Sequence, residues 1–402
     1  MSTSEIHGVM AQTTLALLRL RGEAAAASLA SQLVRRFDAL DTEGVDAYLT
    51  FLLAELGPDI AAVDAAIEAY RSEPSQDAIA DLADTTESPR LQLFRRVNTA
   101  PGGISCLLNI RAALLERRKT MPELRPVERD LQHLLRSWFN RGFLELRQLD
   151  WQTPAHILEK LIEYEAVHEI QGWSDLRRRL APDRRSFGFF HPSLPDEPII
   201  FVEVALTHGM ASSIQTLLTT EPAPIDDGTD TAIFYSITNC QQGLSGISFG
   251  SFLIKQVSAH LQNELPQLVT FATLSPIPGF ARWLSEQDPI NVADQGELEA
   301  ACAQYLLCAR RKQLPLDPVA RFHLRNGARL ERLNFQGDTS DKGTAESHGM
   351  LVNYRYSGQD LEANHDALVL DGVVIASSLV IEAAGDTLDT ACVAVSPAGV
   401  VA

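Results

Sequence analysis

The apolar pattern of this chain changes once along its length, and that change constrains the fold most. Up to about residue 140, apolar side chains recur at helical spacing in Ala- and Leu-rich stretches such as TTLALLRLRGEAAAASLASQLVRRF. From about residue 187, short strand-like runs appear, among them PIIFVEVALT, TAIFYSI and LVTFATL, separated by Pro, Gly and Asp. The pattern predicts an all-helical bundle domain over 1–140, an α+β or α/β domain over 141–380, and a small-residue, acidic tail over 381–402 that we expect to be poorly ordered.

One segment of the second domain predicts a strand–helix–strand unit. GSFLIKQVSAHLQNEL lies between the runs TAIFYSI and LVTFATL. Its Leu253, Val257, Leu261 and Leu265 recur every four residues and therefore share one helical face. The order of the three segments predicts two neighbouring strands joined by a helix.

Composition excludes several classes of partner. The chain has 402 residues and a formal net charge of −18, which disfavours non-specific binding to nucleic acid or to an anionic membrane. An anionic small molecule stays possible, because its site needs only a local cluster of donors. The five cysteines are scattered without a CxxC pair, so we expect no zinc site and a reducing compartment. The start MSTSEIHGVMAQ does not look like a signal peptide, and no apolar run approaches the ~20 residues of a membrane span, so we expect a soluble cytoplasmic protein.

A glycine-rich turn, CQQGLSGISFGS (240–251), lies between a predicted strand and a predicted helix start. Glycine lets a ligand approach the backbone closely, and the first N–H groups of a helix point toward an anion. These features suit the pyrophosphate of a nucleotide-like ligand. The spacing matches neither GxGxxG nor a P-loop, and plain turn geometry is the alternative interpretation.

Ser275 follows the strand LVTFATL and is held between that strand and Pro276 and Pro278. Ligands of open sheets bind beyond the carboxyl ends of strands, which would place this serine at a ligand. The alternative is an ordinary Ser-Pro turn. The segment is not a GxSxG elbow, so a hydrolase nucleophile is not indicated.

His323 lies between two apolar side chains in RFHLRNGARL, and an apolar neighbourhood would keep its imidazole largely neutral or shift its pKa, which suits acid–base chemistry. A structural role is the alternative. Tyr354 and Tyr356 are two residues apart and share one face if LVNYRY is a strand, where one of them could bind a ligand or both could simply pack. Three arginines are candidates for phosphate contacts or for an ordinary exposed face: Arg321, Arg325 and Arg329.

Taken in order, the stretches HPSLPDEPIIFVEVALT, TAIFYSITNCQQGLSGISFGSFLIKQV, FATLSPIPGF, LDPVARFHLRNGARL and LVNYRY resemble malonyl-CoA decarboxylase. The resemblance covers roughly residues 140 to 375, and TLSPIPGF and FHLRNGA are its most specific motifs. It implies a helical N-terminal domain followed by a catalytic domain of the GNAT-like (acetyltransferase) fold. The implied reaction converts malonyl-CoA to acetyl-CoA and CO2 by stabilising an enolate and delivering a proton.

The same resemblance assigns site residues in this chain. It implies Ser275 and His323 as the catalytic residues. The substrate-binding residues it implies are Ser245, Gly246, Ile247, Ser248, Phe249, Gly250, Ser251 and Tyr356. Some relatives place an acidic residue where this chain has Ser248, so a role for that carboxylate does not transfer.

The resemblance also implies a homo-oligomer, as a dimer or tetramer, and a substrate that brings its own CoA, with no separate cofactor and no metal. The chain lacks the C-terminal peroxisomal signal and the insert near residue 285 of the mammalian enzymes, and so looks like a bacterial-type member. Two alternatives stay open. An acyl-CoA-dependent N-acetyltransferase of the same fold would need an amine acceptor, and a non-catalytic CoA-binding assembly protein would tolerate loss of Ser275 and His323.

Overall fold

The computed structural model describes residues 3–247, 252–385 and 393–395, and these residues form two compact units. The first unit lies within 1–144, 191–197 and 241–248. The second lies within 145–190, 198–240 and 249–402. Two short later segments thus join the helical unit, although the sequence pattern assigns everything after residue 140 to the second domain.

The first unit is helical, as its Ala- and Leu-rich pattern predicts. Its helices bury apolar stripes; α2, for example, buries Leu33, Val34 and Phe37. Asp41 caps the third helix by accepting a hydrogen bond from the backbone N–H of Gly44. The bounds are α1 (Thr3–Arg19), α2 (Glu23–Asp38), α3 (Thr42–Glu55), α4 (Ile60–Ser72), α5 (Gln76–Thr86), α6 (Pro89–Asn98), α7 (Gly103–Glu116) and α8 (Arg125–Trp138).

The segment 241–248 joins the first unit because its short 3₁₀ turn, Gln242–Leu244, packs directly on α7. A Cβ at Gly243 would lie 2.3 Å from the Leu108 carbonyl oxygen, so only glycine allows this approach. The Gly243 carbonyl accepts a hydrogen bond of 2.6 Å from Arg111 Nη1. The fully buried Arg111 also forms a 2.8 Å ion pair with Glu128 of α8.

The second unit combines strands with helices. Its strands are β1 (Glu145–Leu149), β2 (Arg184–His191), β3 (Leu194–Thr207), β4 (Thr231–Asn239), β5 (Thr270–Thr273), β6 (Ser275–Pro276), β7 (Arg310–Arg311), β8 (Leu314–Pro315), β9 (Arg329–Asn334), β10 (Leu351–Tyr356), β11 (Val374–Ala376) and β12 (Val393–Val395). Its helices are α9 (Ala155–Tyr164), α10 (Trp173–Arg179), α11 (Ile214–Thr219), α12 (Phe252–Glu264), α13 (Phe280–Leu284), α14 (Gln295–Cys308), α15 (Pro318–Arg325), α16 (Asp341–Ser347), α17 (Leu361–Asp371) and α18 (Ser378–Ala383).

Ten of these strands form one mixed sheet in the order β1-β2-β3-β4-β5-β10-β9-β11-β12, with β6 paired to β10. The β1–β2 and β3–β4 pairs are antiparallel, whereas β4 and β5 are parallel. The predicted α+β class, with N-terminal helices followed by a mixed-sheet domain, is confirmed.

The predicted strand–helix–strand unit is β4–α12–β5. Leu253, Val257 and Leu261 of α12 are buried, as their four-residue spacing requires. The helix ends at Glu264, so Leu265 is the one member of the predicted apolar row that lies outside it. Because β4 and β5 are parallel neighbours, their carboxyl ends lie at the same edge of the sheet.

Part of the predicted tail belongs to this sheet. Residues 393–395 form β12, which pairs in parallel with β11. The other residues after 385 lie outside the described part of the chain, so the expectation of poor order is not addressed for them. Within the described ranges, each helix is too short or too polar to span a membrane.

Candidate active site

Ser275 lies just beyond the end of β5 and begins the short strand β6, and both of these strands pair with β10. β10 runs antiparallel to β5 at Tyr356↔Phe271 and then to β6 at Val352↔Ser275. The serine side chain is 5% exposed. The strand end therefore presents the hydroxyl inside the domain instead of at an exposed turn.

A continuous chain of hydrogen bonds joins Ser275 to His323 and Tyr356. Ser275 Oγ lies 3.2 Å from His323 Nε2, and His323 Nδ1 lies 2.7 Å from the Tyr356 hydroxyl. At the other end, Ser275 Oγ donates to Thr273 Oγ1 at 2.8 Å. Three residues that the sequence analysis singled out separately are thus brought together.

The direction of the first bond fixes the imidazole tautomer. Because Ser275 uses its hydroxyl hydrogen toward Thr273, its Oγ can only accept from His323. Nε2 is therefore assigned the hydrogen, and Nδ1 accepts from the Tyr356 hydroxyl. Hydrogen bonds then run in one direction, from Tyr356 through His323 and Ser275 to Thr273.

Burial keeps the imidazole neutral. Removal from water lowers the pKa of His323 to about 3. Burial also raises the pKa of Tyr356, so its phenol stays protonated. The His323 ring stacks on Tyr354, with ring centroids 4.7 Å apart and planes 22° apart. The site consists of neutral donors, which can transfer protons without first adding or losing a charge.

Asp317 ties the serine turn to the helix that carries His323. Its Oδ1 caps α15 by accepting from Val319 and Ala320 N–H, both at 2.9 Å. Its Oδ2 accepts from the backbone N–H of Gly279 at 3.3 Å, just past the SPIP segment. Burial raises the pKa of Asp317, while these N–H donors oppose the shift. One carboxyl group therefore fixes both halves of the site.

Thr273 and Asp317 were not among the residues selected from sequence. Thr273 stands two residues before Ser275 in a strand, and the two-residue period alone places both on one face. Asp317 precedes Pro318, and Asp followed by Pro is a typical start of a helix. Both signals were present, but each indicates ordinary structure unless the neighbouring site is known.

Two of the three candidate phosphate-binding arginines are held by internal partners. Arg321 donates to the carbonyl oxygens of Pro315 and Leu316. Arg329 pairs with Glu331 of the same strand. Their contacts support the structural interpretation for both, whereas Arg325 is exposed.

The glycine-rich turn is described only in its first half. Ser245 and Gly246 form a turn in which Gly246 has φ +75°, and Ile247 is buried. This backbone conformation favours glycine at position 246. The remaining predicted substrate-binding residues of this turn, Ser248, Phe249, Gly250 and Ser251, lie outside the described residues.

The group on His323 Nδ1 is a phenol, where the catalytic triad of a serine hydrolase has a carboxylate, so the row Ser275–His323–Tyr356 is not such a triad. Two domain families match the sequence. Malonyl-CoA decarboxylase C-terminal domain matches residues 142–296 and 286–392, and Malonyl-CoA decarboxylase N-terminal domain matches 56–139. The chain belongs to the malonyl-CoA decarboxylase family of carboxy-lyases, as its sequence motifs predicted.

Individual relatives agree with this assignment. The chain is 36% identical over 361 residues to the mitochondrial malonyl-CoA decarboxylase of Anser anser anser, covering 75% of this chain and 71% of that protein. The crystal structure of malonyl-CoA decarboxylase from Rhodopseudomonas palustris is 46% identical, with a TM-score of 0.88 over 95% of this chain and 100% of that one. The crystal structure of malonyl-CoA decarboxylase from Agrobacterium vitis is also 46% identical, with a TM-score of 0.88 over 94% of this chain and 99% of that one.

Proposed function

We propose that this chain decarboxylates malonyl-CoA through the hydrogen-bonded row Tyr356–His323–Ser275. The observation that carries the proposal is the continuity of that row, with contacts of 2.7 and 3.2 Å on the two sides of one buried imidazole. A neutral imidazole held between two hydroxyl groups can pass a proton in one direction and be refilled from the other.

The reaction needs electrophilic support and one proton. The bond between the substrate carboxylate and C2 breaks, CO2 leaves, and the electron pair passes into the thioester as an enolate. Preorganised donors stabilise the developing charge on the thioester oxygen, most effectively where water is excluded. A proton on C2 then gives acetyl-CoA. Because the thioester itself takes the electron pair, we propose that no further cofactor is needed.

The proton comes from His323 Nε2 and reaches C2 through Ser275 Oγ. The serine hydroxyl turns from Thr273 toward the substrate, gives its hydrogen to carbon and takes the Nε2 hydrogen in its place. In the same step the Tyr356 hydroxyl gives its proton to His323 Nδ1, and Tyr356 then takes a proton from water. The enolate carbon is a stronger base than the alkoxide or phenolate that either hydroxyl leaves behind, so neutral donors can protonate it. No acyl bond to Ser275 forms, because Nε2 carries a hydrogen and cannot act as its base.

Tyr356 thereby acts through the imidazole and is a positioning residue. For the CoA portion, we propose that backbone N–H groups of residues 245–251 bind the pyrophosphate. The left-handed Gly246 and the helix start that follows the turn support this role.

We further propose that the protein self-associates through its first unit. Helices α4 and α5 are exceptional there, because neither contributes a buried residue. Ile60, which begins α4, is 68% exposed, and Ile79, which lies within α5, is 46% exposed. The buried free thiols Cys106 and Cys302 support a reducing, cytoplasmic setting.

Purified protein incubated with malonyl-CoA alone tests the function. We expect CO2 and acetyl-CoA in equal amounts without any amine acceptor. An N-acetyltransferase would release no CO2 unless an amine were added, and an assembly protein would leave malonyl-CoA intact. Methylmalonyl-CoA in a parallel reaction measures how large an acyl group the pocket accepts.

A further inference from the structure

The first unit carries a local excess of positive charge in an acidic protein. Residues 111–141 contain eight Lys or Arg and four Asp or Glu, a net charge of +4, against −18 for the whole chain. The negative field of the whole chain repels a ligand with several phosphate charges. A locally positive region is therefore where such a ligand can bind.

These residues also form a cavity. Its volume is about 460 Å³, within the range of small-molecule pockets. Arg118 and Arg125 line it, and neither has an ion-pair partner in the part of the chain that the structure describes. The walls also include Leu114, Met121 and Leu124. A cavity with two unpaired guanidinium groups and apolar walls fits a phosphate joined to a flat, partly apolar ring.

Glu128 lines the same cavity, but its charge is already neutralised. Its Oε1 accepts hydrogen bonds from Arg111 Nε at 3.1 Å and Nη2 at 2.8 Å. An anion in the cavity therefore faces Arg118 and Arg125 without an uncompensated carboxylate among the residues that line it.

The cavity and the glycine-rich turn are connected within the first unit. Arg111, which pairs with Glu128, also binds the Gly243 carbonyl at 2.6 Å. A Cβ at Gly246 would lie 3.8 Å from Gln132 Nε2. Gln132 stands one helical turn, roughly 6 Å, beyond Glu128 on α8, and roughly 10 Å beyond Arg125. The turn and the cavity are thus neighbours along one helix.

We infer that this cavity binds the 3′-phosphoadenosine end of the CoA thioester, with the 3′-phosphate between Arg118 and Arg125 and the adenine against the apolar walls. The inference rests on the proposed pyrophosphate role of residues 245–251, since one ribose joins the pyrophosphate to the 3′-phosphate. It gives a function to the Arg-rich segment that follows α7.

The test compares acetyl-CoA with 3′-dephospho-acetyl-CoA by isothermal titration, because neither ligand can be decarboxylated. Wild-type protein should bind acetyl-CoA about 10-fold or more tightly than the dephospho form, as expected for a charge-assisted phosphate contact. In the Arg118→Gln/Arg125→Gln double variant this ratio should fall to nearly one. Lys119→Gln, which removes an exposed charge beside the cavity, should keep the wild-type ratio.

A wild-type ratio near one, or an unchanged ratio in the double variant, overturns the inference. Thermal unfolding of each variant checks that the fold is intact, and the single variants Arg118→Gln and Arg125→Gln replace the double variant if it does not fold. The two proposals can fail separately. A wild-type affinity ratio near one in a protein that releases CO2 contradicts the cavity proposal alone. A wild-type ratio of about 10 or more in a protein that releases no CO2 contradicts decarboxylation alone.

Discussion

The proposed chemistry of this chain depends on an imidazole that burial keeps neutral. His323 is 5% exposed, and both its ring nitrogens are engaged by hydroxyl groups. A charged imidazole would bind the substrate carboxylate and hold it, whereas a neutral one offers a donor without stabilising the ground state through an ion pair. Burial of this one residue is thus part of the proposed mechanism.

Tyr356→Phe should lower kcat about 10-fold or more, because His323 Nδ1 loses the donor that supports the Nε2–H tautomer from the other side of the ring. Steady-state kinetics gives kcat, and ¹⁵N NMR of the imidazole should show loss of the single Nε2–H form. Tyr70→Phe, in α4 of the first unit, is the matched control and should leave both unchanged. A Tyr356→Phe protein with wild-type kcat and tautomer contradicts the positioning role.

His323 should also make the free energy of unfolding pH-dependent. Its pKa is about 3 in the folded protein and about 6.5 in an unfolded chain, so between these values the unfolded state binds the extra proton. Stability is therefore lost as pH falls from 6.5 toward 3, by up to about 1.4 kcal/mol per pH unit. Urea unfolding at pH 7.5, 6 and 5 should show a steeper loss for wild type than for His323→Gln. Parallel curves for the two proteins would exclude this contribution.

At this scale the sequence predicted candidate reacting groups but not their geometry. An apolar neighbourhood predicted a neutral His323, and the two-residue spacing placed Tyr354 and Tyr356 on one face. Which tyrosine would reach the imidazole depends on the register of β10 against β5 and on the position of α15. Those are long-range properties, and local spacing carries no information about them.

At the scale of elements, the site is built where β5, β10 and α15 meet. The hydroxyl comes from a strand end, the phenol from the last residue of a strand, and the imidazole from a helix. Asp317 and Gly279 keep these elements in register. A Cβ at Gly279 would lie 2.2 Å from the Tyr305 hydroxyl oxygen, so the turn after SPIP cannot accept a larger residue without moving.

Asp317→Ala should destabilise the protein by about 1 kcal/mol through loss of the helix cap and should also lower kcat. Asp317→Asn keeps the cap oxygen but not the acceptor for Gly279, so its stability should fall less while kcat still drops. Denaturant unfolding and steady-state kinetics provide the two readouts.

The control for this pair is Asp294→Ala, which removes an equivalent cap from α14. It should cost similar stability and leave kcat unchanged. Equal kcat in wild type and both Asp317 variants would show that the carboxyl group does not position the site.

Element types were predictable because helical and two-residue periods differ clearly in this chain. The β4–α12–β5 unit followed directly from one such row of leucines and a valine. The membership of 241–248 in the helical unit did not, because it depends on the contact of Gly243 with the Leu108 backbone. A glycine in a turn gives no indication of which surface it approaches.

For the whole molecule, the first unit has a helical pair, α4 and α5, without buried residues. If this pair is an interface, wild-type protein should sediment as a dimer or tetramer of its 44.1 kDa chain. Ile60→Glu with Ile79→Glu should shift it toward the monomer. Leu370→Glu, at an equally exposed site of the second unit, is the control and should not. A wild-type monomer, or double-variant oligomers as stable as the wild type, would contradict self-association through α4 and α5.

The most direct test of the central claim is kcat for malonyl-CoA in Ser275→Ala, His323→Gln and the double variant, measured beside Ser285→Ala. Each single variant should lose about 10²-fold or more, and the double variant no more than the worse single, because the two groups act as one relay. Acetyl-CoA should still bind all three, and Ser285→Ala should match wild type. Wild-type kcat in either single variant, or a double variant that loses the product of both effects, would contradict the relay.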